Sequence, residues 1–178
     1  MSQFFWQGCL HPLIVPAHLM VLLALGLLLG QQDKTNMRAG LLSFVISVLP
    51  ALALTRVLAK INYSELTLLV FALSLGLLVI LKLRLKLAFI ISLSLSAGAL
   101  IGLDSAVTAL PGLDKSKIYL QLLGTGMSAS LILAALGFLS FYLNKLLAGI
   151  AVRVIGAWVT AGSLMVLALL LNQLLKAN

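Results

Sequence analysis

The chain has 178 residues, 62% of them hydrophobic and only 9% charged, where a soluble domain carries roughly 25% charged residues. Mean hydropathy is +1.20. These values exclude a water-soluble globule, which needs polar residues to cover its outside, and a disordered chain, which is poor in apolar ones. Twelve Lys and Arg against four acids give a net charge of +8. In a soluble domain that excess would raise nucleic-acid binding. Here the cations lie between apolar runs and read as membrane-edge residues facing anionic headgroups, so no nucleic-acid partner is expected. The fold class is an all-α polytopic membrane helical bundle, one integral-membrane domain over residues 1–178 with the lipid bilayer as its surroundings. Cys9, the single cysteine, has no internal disulfide partner.

A membrane-spanning helix needs about 20 largely apolar residues, and six stretches approach that. The opening Met1-Ser2-Gln3-Phe4-Phe5-Trp6 lacks a basic n-region, so no cleaved signal peptide is expected. The first span covers about Leu13 to Gly30, ended by Gln31-Gln32-Asp33-Lys34-Thr35-Asn36. The second covers about Ala39 to Ala59, with Pro50 inside it as a predicted kink. Asn62-Tyr63-Ser64-Glu65 supplies cap-like residues before the third, about Leu66 to Leu81. The basic turn Lys82-Leu83-Arg84-Leu85-Lys86 joins it to the fourth, about Leu87 to Leu103, which predicts an antiparallel helical hairpin. A loop from Asp104 to Lys117, punctuated by Pro111-Gly112, precedes the fifth span, about Ile118 to Leu143. Asn144-Lys145 is read as its break. The sixth runs from about Leu146 or Ala148 to Leu171, and Asn172–Asn178 is polar enough to leave the membrane. Continuous apolar runs of this length are not the alternating segments of a barrel.

Cation counting sets the expected orientation. Lys34, Arg38, Lys82, Arg84, Lys86, Lys145 and Arg153 fall on one side, and Arg56, Lys60, Lys115, Lys117 and Lys176 on the other. The positive-inside rule then places both termini on the non-cytoplasmic side of a bacterial inner-membrane type of bilayer.

Candidate chemistry is concentrated at the start of the first span. Gly8-Cys9-Leu10-His11-Pro12-Leu13-Ile14-Val15-Pro16-Ala17-His18 holds both histidines of the chain. In a straight helix they would share a face about 10.5 Å apart, too far to reach one ion at about 2.0–2.1 Å each. Prolines push the preceding residues, His11 and Val15, out of helical geometry, so an irregular segment could fold His11 back toward His18, with Cys9 near enough to add sulfur. The alternative is an interfacial cap at His11 and an interhelical hydrogen bond at His18. Asp104, at the end of the fourth span, could partner His18 or Arg153, or join Lys115 and Lys117 in the loop. Gly98 and Gly102 form a G-x-x-x-G pair after Ser92, Ser94 and Ser96, a pattern that lets two membrane helices approach closely.

Phe5-Trp6-Gln7-Gly8-Cys9-Leu10-His11-Pro12 resembles the opening of the HupE/UreJ family of small membrane proteins. The family signature has the form H-P-x-x-G-x-D-H, followed by an apolar helix ending in glycine. His11, Pro12 and His18 match it, with Gly26 and Gly30 following; Val15 and Ala17 stand where the family has glycine and aspartate. A second motif, H-G-x-A-x-G-x-E, is similar to Ala97-Gly98-Ala99-Leu100-Ile101-Gly102-Leu103-Asp104. Its histidine is Ala97 here, and its acid is Asp104. A histidine of the family's fifth helix falls at about Leu133. Arg153-Val154-Ile155-Gly156-Ala157 with Gly162 is similar to the closing segment, where Gly156 is a packing glycine. The resemblance implies a nickel or cobalt permease of six to eight helices, the ion being its substrate.

On that basis His11, His18 and Asp104 are the candidate metal ligands, with weak thioethers at Met20 and Met127. No nucleophile–base–acid set or phosphate loop is present, and no enzymatic activity is expected. Two functions remain: a divalent transition-metal permease, or a non-catalytic subunit that keeps the scaffold and packs against other membrane proteins or its own copies.

Overall fold

The computed structural model describes residues 2–58, 65–105, 115–146 and 148–177, all helical apart from short turns. Among the described residues seven helices follow in order: α1 Ser2–Ile14, α2 Pro16–Gly30, α3 Lys34–Leu58, α4 Glu65–Leu81, α5 Leu87–Asp104, α6 Lys115–Leu146 and α7 Ile150–Ala177. The cap-like residues Asn62–Ser64 and most of the loop after Asp104 lie outside the described residues.

The first apolar run is two helices. Val15 takes an extended conformation (φ −82°, ψ 109°) before Pro16, which opens α2. Pro16 has no N–H to continue the ladder and restricts the residue before it. The two helices meet at a bend of 70°. Pro12, expected to break the chain as well, sits inside α1.

α2 is apolar on every side, and such a helix belongs in an interior. Eleven of its 15 residues are buried, from Ala17 and His18 to Gly30. α6 and α4 flank it, α1 lies along α6, α3 pairs with α5, and α4 with α7. α4 and α5 are joined by the expected tight turn, with Lys82 at φ 51°, but they scarcely touch and each packs on another helix. Two further boundaries differ from expectation. α6 continues through Asn144-Lys145, and α7 runs to Ala177 through the polar tail. Asn and Lys are tolerated inside a helix; neither breaks one as Pro does.

Small residues set the close contacts. A Cβ at Gly98 would lie 2.7 Å from the Phe44 carbonyl oxygen, and one at Gly102 would lie 2.5 Å from Ala51 Cβ. Thr55 Oγ1 donates to the Gly102 carbonyl at 2.9 Å across the same seam. Gly156 faces Val79 of α4, where a Cβ would meet Val79 Cγ1 at 2.6 Å. The left-handed Gly149 (φ +83°) turns the chain between α6 and α7.

The outer surface is apolar: Leu42, Ile46, Phe89, Leu131, Trp158 and Met165 are all exposed. Only lipid can cover such a surface without a large hydrophobic penalty. α3, α5, α6 and α7 contain stretches long and apolar enough to cross a bilayer, and the bent pair α1–α2 makes a fifth span if it counts as one. α4, at 17 residues, is a shorter apolar helix. The molecule is a helical membrane bundle; the expected six crossings are not fixed by helix length alone.

Candidate metal centre

The bend at Val15 has a chemical consequence. It replaces a straight rise between His11 and His18 with a corner, and the two imidazole rings come to 5.4 Å, edge to face at 70°. His18 sits on the first turns of the buried helix α2 and is itself wholly buried. His11 is half-buried at the end of α1, which α6 holds in place.

α5 runs antiparallel to α2. Its start is tied to the far end of α2, where the Leu85 N–H donates to Gln32 Oε1 at 3.1 Å. Its last residue, Asp104, therefore arrives beside the start of α2. Asp104 Oδ2 lies 2.9 Å from His18 Nε2. Of the three partners open to Asp104 in the sequence, the structure selects His18. Arg153 is at the other end of the bundle, donating to the Ile80 carbonyl at 2.9 Å, and Lys117 lies over the Phe4 ring, 5.7 Å from its centroid.

A carboxylate can only accept, so it holds the proton of His18 on Nε2. The other nitrogen, Nδ1, then carries a lone pair. Both His18 Nδ1 and His11 Nε2 are buried without a hydrogen-bond partner. A buried polar atom left unpaired costs about 1–3 kcal/mol, and two such atoms on adjacent rings call for a shared reason. Two imidazoles on one tetrahedral ion, each nitrogen at about 2.0–2.1 Å, put their ring centroids about 5 Å apart. The observed 5.4 Å matches that spacing.

The remaining candidates contribute less. Asp104 stands behind His18, on the nitrogen away from Nδ1. Cys9 is partly buried on α1 with a free thiol. Among the described residues no three His, Cys, Asp or Glu side chains are placed to hold one ion together. Ala17, Ala97 and Leu133 are all fully buried apolar residues and offer no donor atom. Gly98, Gly102 and Gly156 serve helix approach.

Sequence reasoning missed the residues that hold α1 in position. Thr125 Oγ1 donates to the Gly8 carbonyl at 3.1 Å, and a Cβ at Gly124 would lie 2.5 Å from the Phe5 carbonyl oxygen. The cluster Gly124-Thr125-Gly126 was the available signal, legible as packing but without its partner helix.

Comparison with curated proteins and with solved structures gives no match. The model of the HupE / UreJ protein family matches residues 1–167. With that match over nearly its whole length, the chain belongs to the HupE/UreJ family.

Proposed function

We propose that the protein is a permease for a divalent transition-metal ion of the nickel and cobalt kind, and that His11 and His18 receive the ion. The observation that carries this reading is the pair of unpartnered buried nitrogens, His11 Nε2 and His18 Nδ1, on rings 5.4 Å apart. Neutral imidazole favours such ions over Mg²⁺ or Ca²⁺, which want oxygen ligands. Asp104 acts through His18 as a positioning residue, fixing its tautomer and ring orientation. Two protein ligands leave coordination positions for water. That suits a substrate that must leave again, whereas a structural ion is closed in by four ligands.

The direct test is equilibrium binding of Ni²⁺ or Co²⁺ to the purified protein. Affinity should fall as the solution is acidified, because a histidine must shed its proton to bind. The sign is fixed: protons compete with the ion, so acid weakens binding. Affinity that does not weaken on acidification of the folded protein would remove the histidines from the site.

We place both termini, and with them the histidines, on the non-cytoplasmic side, from the excess of seven cations over five at the opposite end. An impermeant thiol reagent on intact cells should label a cysteine introduced at Lys115 and spare one at Asn36. The reverse pattern would invert the orientation, making the histidine end an exit.

A further inference from the structure

The other end of α2 opens a polar cavity of about 290 Å³, lined by Gln31, Asp33, Lys34, Asn36, Arg84 and Asn144 among others. A hollow of about 200 Å³ adjoins it, sharing Lys34 and Phe141 and adding Met37, Arg38, Phe138 and Tyr142. The two differ in chemistry. The first is walled by amides and charges. The second sets three aromatic rings and Met37 beside Lys34 and Arg38, and Phe138 and Tyr142 are 49% and 63% exposed on the outside of α6, where lipid covers the bundle.

Charge decides the kind of ligand. Lys34, Arg38 and Arg84 stand against Asp33 alone in the combined lining, so an anion is drawn in and a bare cation repelled. The amides refine the choice. Gln32 is spent on structure, donating to the Leu83 carbonyl and accepting from the Leu85 N–H, each at 3.1 Å; these bonds hold the turn that carries Arg84. Gln31 donates to the Val79 carbonyl at 3.0 Å, but its own carbonyl oxygen is buried without a partner, as is that of Asn144. Such acceptors call for a ligand with hydroxyl donors.

We propose that the paired cavities bind an anionic phospholipid with a hydroxyl-bearing headgroup. The phosphate lies between Lys34 and Arg84, the headgroup hydroxyls face Gln31 and Asn144, and the acyl chains follow Met37, Phe138 and Tyr142. A free phosphate ester shares the chemistry of the charged end only. The aromatic hollow continuing to the lipid-covered surface commits the site to a lipid, and basic pockets between membrane helices are a recurrent headgroup site.

The test is native mass spectrometry of the full-length protein in detergent with equal amounts of phosphatidylglycerol and phosphatidylcholine. Phosphatidylglycerol adducts should exceed phosphatidylcholine adducts by about tenfold or more, the scale of one or two basic contacts at a membrane surface. Lys34 and Arg84 are both exposed, so Lys34→Gln/Arg84→Gln should fold, bring the ratio near parity and leave Ni²⁺ binding unchanged. Glycerol 3-phosphate should not displace the lipid. Equal adducts in the wild type, an undiminished preference in the double variant, or displacement by glycerol 3-phosphate would each overturn the proposal.

Discussion

Cells expressing His18→Ala should accumulate no more nickel or cobalt than cells carrying an empty vector, at protein levels matched to wild type. His18 supplies one of two imidazole nitrogens in a site that no third His, Cys, Asp or Glu completes among the described residues, so its loss leaves a single imidazole donor. Removing even an outer-shell partner of a metal site costs 10–100-fold in affinity, so losing a ligand should cost at least about a hundredfold. The substitution also strips Asp104 of its partner at 2.9 Å, an expected destabilisation of about 1–3 kcal/mol. His18→Gln separates the two effects: its amide can still donate to Asp104, but it brings no imidazole. Both variants should lose accumulation, and the glutamine variant should melt closer to wild type. Wild-type accumulation no better than the empty vector would remove the permease and leave a scaffold that packs in a larger membrane complex.

The helical class was legible because membrane spans are written as continuous apolar runs, and the bend before Pro16 because proline acts on its own neighbour. Both are local effects. The contacts that make the site are not. His18 and Asp104 are separated by 86 positions and meet only because α5 returns antiparallel beside α2. The sequence offered three partners for the acid with no means of choosing. Gln31 and Gln32 read as the polar end of a span, yet Gln32 is only 5% exposed and bonded on both sides of its amide. Polarity located the end of α2 correctly and hid the burial. The same cue misplaced the end of α6, since Asn144-Lys145 changes the surroundings of the helix while leaving its hydrogen-bond ladder intact. The pairing of α4 with α7 and of α5 with α3 was equally out of reach. A short turn fixes chain direction, whereas partner choice depends on which small-residue faces fit.

Gly8→Leu should uncouple the metal site from the fold without touching a ligand. Gly8 is buried where α1 crosses α6, and a Cβ there would overlap the Gln121 carbonyl oxygen and approach its carbonyl carbon to 2.9 Å. The obstruction is backbone, so no side-chain rotation relieves it, and α1 must move off α6. Over-packing of this sort typically costs about 1–3 kcal/mol. α1 makes most of its contacts with α6 and few with the rest of the bundle, so the damage should stay local and the remaining six helices should hold together. His11 travels with α1, three residues beyond the contact, while His18 stays on α2 with Asp104. A shift of an ångström or two would open the 5.4 Å ring pair beyond the spacing of about 5 Å that one ion requires. Ni²⁺ affinity should therefore fall about as far as in His18→Ala, while helical content stays near wild type. Gly8→Ala, with a single methyl, should fall between the two. Thr125→Val, which removes the hydroxyl shared between the Gly8 and Gln121 carbonyls, should cost least, about 0.5–1.5 kcal/mol of stability. Wild-type metal affinity in a folded Gly8→Leu protein would show that the position of α1 does not matter, and with it that His11 is not a ligand.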